Sequence, residues 1–209
     1  MTIHYVVSTK GGSGKTLVAT LLGHILPDPC VIEHASADDA APAFPADARR
    51  TITFTGEATQ DLLNLESAIG ELADHQNIVI NTPPSRGMAA IAEHTRMLAP
   101  MGEQFGHESR VYLVVNDSTR WGAEDAAEIL AGMGSKVHVV LNDCTGDRTI
   151  AEDLAEVIAE SGAQIHNIPR MPHRALEDFL RERKPERPSL VTRVIGKRYL
   201  DACRESLAS

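Results

Sequence analysis

The sequence predicts an α/β fold: a doubly wound, mostly parallel sheet with helices on both faces. Three observations carry that expectation. Short β-branched and aliphatic runs alternate with segments whose apolar residues recur at helical spacing. Within the runs, apolar residues follow one another instead of alternating with polar ones, as strands covered on both faces require. A glycine-rich stretch joins the first run to the first helical segment, the context of a phosphate-binding loop. The 209 residues suit one compact body. The chain is therefore read as a single domain over 1–209, with a helical tail at about 171–209.

Taken in order, Ile3–Ser8 reads as a strand. Leu17, Val18, Leu21, Leu22 and Ile25 keep a helical period up to Pro27. Cys30–Glu33 is a second strand. Residues 35–50, rich in Ala, Asp and Pro, read as loop, and Thr51–Thr55 as a short edge strand. Leu62, Leu65, Ile69 and Leu72 share a helix face. Asn77–Asn81 is a buried strand, followed by a helix around Met88–Leu98 and a loop over 99–109. Arg110–Asn116 and Lys136–Asn142 are strands with a helix near Glu124–Ala131 between them. Ile150, Leu154, Val157 and Ile158 line another helix, and Gln164–Ile168 is a last short strand. The tail is helical, with a break at Lys184–Pro188.

Composition excludes several classes. No apolar run approaches the ~20 residues that span a bilayer, and the first ten residues lack the basic region of a signal peptide. Cys30, Cys144 and Cys203 are far apart and form no C-x-x-C pair. A cytoplasmic protein is the simplest expectation. The net charge of −9 argues against a general nucleic-acid coat. Ten of the 20 Lys and Arg nevertheless lie from Arg170 onward, so a basic patch on an acidic body is one reading, and a salt-bridged solvated helix face the other. The nine histidines show no H-x-x-x-H pair and no neighbouring Cys, and read as scattered surface or core residues. There is no G-x-S-x-G elbow.

In a parallel sheet, ligands bind at the carboxyl ends of the strands, and the informative residues fall there. Residues 8–16 read STKGGSGKT. Gly11, Gly12 and Gly14 let backbone N–H groups curl around phosphates without Cβ clashes. The helix that begins next adds partial positive charge. Lys15 can reach the β- and γ-phosphates, and Thr16 can place its hydroxyl on Mg²⁺. Thr9 stands where the ordinary loop has Gly, and Lys10 is an additional lysine.

Lys10-Gly11-Gly12-Ser13-Gly14-Lys15-Thr16 matches the deviant Walker A motif K-G-G-x-G-K-[ST], and the chain resembles the ParA/MinD group of P-loop ATPases, closely at the loop and loosely to about residue 170. The resemblance implies ATP or ADP with Mg²⁺ as cofactors. It implies that Lys10 reaches the partner subunit's nucleotide, so that ATP holds a homodimer face to face. It assigns catalytic roles to Lys10, Lys15 and Glu33, and nucleotide contacts to residues 10–16. The family's D-x-D falls on Glu33-His34-Ala35. Glu33 keeps a carboxylate near the metal, whereas Ala35 cannot orient the attacking water, a task left to His34, Asp38 or Asp39. The family's D-T-P-P-S falls on Asn81-Thr82-Pro83-Pro84-Ser85, so Asn81 replaces an acid. Thr16, Glu33 and Asn81 are then the metal-side residues, with Mg²⁺ affinity and hydrolysis both reduced. Thr82 joins the nucleotide contacts, with Asn142 as a base contact and Pro169 and Arg170 as a loop against the adenine.

The function expected from this resemblance is an ATP-dependent dimerising switch for DNA segregation or positioning, in plasmid or chromosome partition, plasmid stability or conjugation. Its expected partners are a second copy, DNA bound without sequence preference, and an adaptor or regulator protein; nucleoid association would follow from DNA binding. The rival readings are a nucleotide-binding scaffold with little hydrolysis, a MinD-like membrane-associated positioning protein, and a small-molecule ATP-dependent enzyme resembling dethiobiotin synthetase. In the tail, Val191, Val194, Ile195, Tyr199, Ala202 and Cys203 form an apolar stripe without Trp or Phe. Docking on the body therefore fits better than membrane contact. Trp121 follows a strand and falls on the ligand side, where a partner could cover it.

Overall fold

The computed structural model describes residues 1–8, 12–34, 44–82, 90–97, 108–115, 127, 129–131, 133, 136–142, 152–168 and 190–207. Seven strands, β1 (Thr2–Val7), β2 (Pro29–His34), β3 (Arg49–Ile52), β4 (Asn77–Asn81), β5 (Glu108–Val115), β6 (Lys136–Asn142) and β7 (Gln164–Ile168), form one sheet in the order β3-β2-β4-β1-β5-β6-β7. Every pairing is parallel, so the sheet is wholly rather than mostly so. Among the described residues the helices are α1 (Lys15–Ile25), α2 (Ala58–Glu71), α3 (residues 90–97), α4 (Glu152–Ser161) and α5 (Leu190–Leu207). Residues 129–131 are also helical.

Side chains from successive strand positions feed two cores, which is why the strands are apolar at consecutive positions. On one face Tyr5, Ile32, Ile80, Leu113 and Val139 pack with Leu65 and Ile69 of α2, Ile91 of α3, Ile129 and Ile158 of α4. On the other, Val6, Val31, Val79, Val114 and Val140 pack with Leu17, Val18 and Leu21 of α1 and with Tyr199, Cys203 and Leu207 of α5. The tail helix therefore docks on the body through Tyr199 and Cys203, as its stripe predicts. No described helix is long and apolar enough to cross a membrane.

One strand differs from expectation. The edge strand lies at Arg49–Ile52, not Thr51–Thr55. The buried Asp61 carboxylate accepts from the Thr55 N–H (2.6 Å), the Thr55 hydroxyl (2.8 Å) and the Gly56 N–H (3.0 Å), which draws that segment into the turn before α2. Of the loop expected over 99–109, Glu108 and Ser109 instead open β5; its residues 99–107, residues 116–126 and the break at Lys184–Pro188 lie outside the described residues.

Because all strands run one way, their carboxyl ends share one edge. β1 lies between β4 and β5; the chain leaves β1 toward β2 on one side and leaves β4 toward β5 on the other. The crevice where these connections diverge is the switch point of a doubly wound sheet.

Candidate functional site

At that switch point the glycine stretch turns into α1. Gly12 (φ 80°) and Gly14 (φ 97°) take left-handed conformations that L side chains rarely adopt. Among the described residues, a Cβ on Gly12 would meet nothing within 4 Å. A Cβ on Gly14 would lie 1.9 Å from Asn142 Nδ2. That amide, at the end of β6, donates to the Ser13 carbonyl over 3.0 Å. Asn142 thus reaches the loop from two strands away in the sheet and holds its backbone in place.

The start of α1 is electrostatically unusual. No side chain caps it, its first turn carries no acid, and its first residue is Lys15. A helix amino end ordinarily favours negative charge, and here a cation joins the positive end of the dipole. Lys15 is also buried (8% exposed), and burial lowers its pKa from the ordinary 10.5. An uncapped helix end, two left-handed glycines and a buried ammonium together form an anion site suited to phosphate. Ser13 Oγ, buried with no hydrogen-bond partner among the described residues, adds a polar atom there.

Across the crevice, Glu33, the penultimate residue of β2, and Asn81, which ends β4, lie in direct register. Both are buried, and Asn81 Nδ2 donates to Glu33 Oε1 over 3.2 Å. Asn81 Oδ1 has no partner among the described residues. The Thr82 hydroxyl donates to the Val6 carbonyl over 3.0 Å, tying the end of β4 to β1. His34 Nδ1 accepts from the Phe54 N–H over 3.1 Å. That bond engages one ring nitrogen of the residue weighed as a substitute for Ala35.

The structure therefore brings Gly12, Ser13, Gly14, Lys15, Thr16, Glu33, Asn81, Thr82 and Asn142 to one edge of the sheet. Lys10, Gly11, Ala35, Asp38, Asp39, Trp121, Pro169 and Arg170 lie outside the described residues. Thr16 is half-buried in the first turn of α1. Two features had no signal in the sequence. The Asn142–Ser13 bond joins residues 129 positions apart, and the Asn81–Glu33 bond depends on β2 and β4 being neighbours. No group of three or more His, Cys, Asp or Glu that could hold a metal ion occurs among the described residues. Among the described residues, the expected metal-side oxygens are those of Thr16, Glu33 and Asn81, with Glu33 the one carboxylate of the three.

No family model matches the chain, and no curated protein sequence does either. Among solved structures it is similar to the crystal structure of a ParA family ATPase from Chlorobium tepidum TLS, with a TM-score of 0.51 and 14% identity, over 98% of this chain and 95% of that one. The likeness is one of fold: a seven-stranded parallel α/β sheet covered by helices on both faces.

Proposed function

We propose that the chain is an ATP-binding switch of the ParA/MinD kind, which dimerises on ATP and then engages DNA or a partner protein in a segregation or positioning task. The observation that carries this is the uncapped amino end of α1, where Gly12 and Gly14 take left-handed conformations and Lys15 is buried without an acid in the first turn. Residues 10–16 would cradle the phosphates, and Lys15 would neutralise charge on the β- and γ-groups. Mg²⁺ bound with the nucleotide would screen phosphate charge, and Thr16, Glu33 and Asn81 are the residues that would hold it. Lys10 would act across the homodimer. DNA would be bound through phosphates, without sequence reading.

The test is ATP binding by a fluorescent analogue combined with light scattering. Wild-type protein is expected to bind and dimerise. Lys15→Ala is expected to lose about 100-fold in affinity, a share of binding consistent with one buried charge on phosphate. Lys10→Ala is expected to bind ATP but remain a monomer. A nucleotide-bound wild type that stays monomeric removes the switch. DNA binding with and without ATP, over a range of salt, then tests the DNA arm.

A second reading, a nucleotide-binding scaffold with little hydrolysis, is favoured by Asn81 standing where an acid is expected and by its amide being spent on Glu33. Phosphate release measured with DNA present decides between them. Robust turnover removes the scaffold.

A further inference from the structure

We propose that the Asn81–Glu33 hydrogen bond takes the place of a divalent cation as the bridge between the ends of β4 and β2, so that this side of the site assembles without metal. The two residues are register partners on adjacent parallel strands. They are 1% and 8% exposed, and the amide lies 3.2 Å from the carboxylate. An ionised carboxylate only accepts hydrogen bonds, so the amide must present its NH₂ group to Glu33. That choice leaves Asn81 Oδ1 as the atom without a partner among the described residues.

The energetic logic turns on what an acid at this position would do. Two carboxylates at such a separation, shielded from water, repel strongly and need a cation between them. An amide removes one of the charges and supplies a donor. The pair is then joined by a charge-assisted hydrogen bond, among the stronger kinds in proteins. A second consequence rests on the proposed nucleotide reading. With one carboxylate rather than two in this pair, ATP affinity comes mainly from the loop backbone and Lys15, and depends little on Mg²⁺.

Thermal unfolding of the full chain without nucleotide, in Mg²⁺ and in chelator, tests the bridge. Wild type is expected to melt within about 1 °C of the same temperature in both. Asn81→Asp is expected to melt roughly 5–10 °C lower in chelator and to regain at least half of that in Mg²⁺. The double exchange Glu33→Gln with Asn81→Asp, which again sets one carboxylate against one amide, is expected to melt close to wild type and to ignore Mg²⁺. The idea is overturned by Mg²⁺ stabilising the wild type, by Asn81→Asp equalling wild type in chelator, or by the exchange variant failing as badly as Asn81→Asp. If Asn81→Asp does not fold, the exchange variant still decides. ATP-analogue affinity is the second readout: less than about a threefold change between Mg²⁺ and chelator is expected for wild type, and a tenfold preference for Mg²⁺ overturns the second consequence. Absence of binding in both conditions is a failure of the nucleotide reading and leaves the melting result standing.

Discussion

Across the lower half of the sheet, His4, Tyr112, His138 and His166 form a row over β1, β5, β6 and β7; along its carboxyl edge, Ser13, Lys15, Glu33, Asn81 and Asn142 form another. In the lower row the polar atoms mostly answer one another. Asn77 Nδ2 donates to the Pro27 carbonyl (2.7 Å), leaving its Oδ1 to accept from His4 Nε2 (3.0 Å). The Tyr112 hydroxyl meets His4 Nδ1 at 3.2 Å. His166 Nδ1 donates to the Ser206 carbonyl of α5, so its Nε2 accepts from His138 Nδ1 at 2.8 Å. Only His138 Nε2 is left unpartnered among these described groups. In the upper row Ser13 Oγ and Asn81 Oδ1 are both buried and without a partner among the described residues, and Lys15 is a buried cation. A closed polar seam is architecture, whereas open valences collected at a switch point mark a place where something else completes the network.

Acid separates the two rows most sharply. Burial lowers the pKa of His4 and His138 in the lower row, and of His94, whose Nδ1 meets the buried Tyr5 hydroxyl outside that row, from 6.5 to about 4. The unfolded chain therefore binds more protons than the folded one once the pH drops below about 6.5, and stability falls until about pH 4. Each of the three is expected to remove about 2 kcal/mol between pH 7.5 and about pH 5, roughly 6 kcal/mol together. Denaturant unfolding at the two pH values checks it; equal stabilities would mean the seam is not a neutral, closed network.

At the upper row, Gly14→Ala is expected to cost roughly 3–5 kcal/mol, because it forces a left-handed alanine against the buried Asn142 amide. Asn142→Ala alone should cost about 1–2 kcal/mol by stranding the Ser13 carbonyl. The pair, measured as a double-mutant cycle, should fall short of the sum, since the smaller side chain relieves the clash and leaves only the backbone strain. Additive costs would deny that Asn142 and the loop act together. The smallest effect separates ligand from fold. Ser13→Ala should change the stability of the free protein by no more than about 0.5 kcal/mol, because its hydroxyl has no partner to lose among the described residues. It should nevertheless weaken ATP-analogue binding if the ligand completes that valence.

Much of the fold was legible because each strand declares itself locally. Asn77–Asn81, Lys136–Asn142 and Gln164–Ile168 occupy the spans their apolar runs predict. The edge strand did not, because Asp61, which sets where it stops, acts from the next helix. The glycine-rich turn into α1 was legible for the same local reason: its glycines and lysine lie next to one another in the chain. The Glu33–Asn81 bond and the Asn142 clamp were not, since they depend on which strands lie side by side. The nine histidines read as scattered, yet His4, His138 and His166 align once β1, β5, β6 and β7 are placed.

The Asn142 clamp also has a meaning in time. Its two halves are 129 residues apart, and at synthesis rates of ~5–20 residues per second the loop emerges roughly 6–25 s before the amide that holds it. β1, made first, is the middle of the sheet and must wait for β4 and then β5 to flank it. A nascent chain would therefore carry every glycine and lysine of the loop while still lacking the strand that sets its shape. The loop's held shape comes late in the chain's birth, when β6 has been laid beside β5.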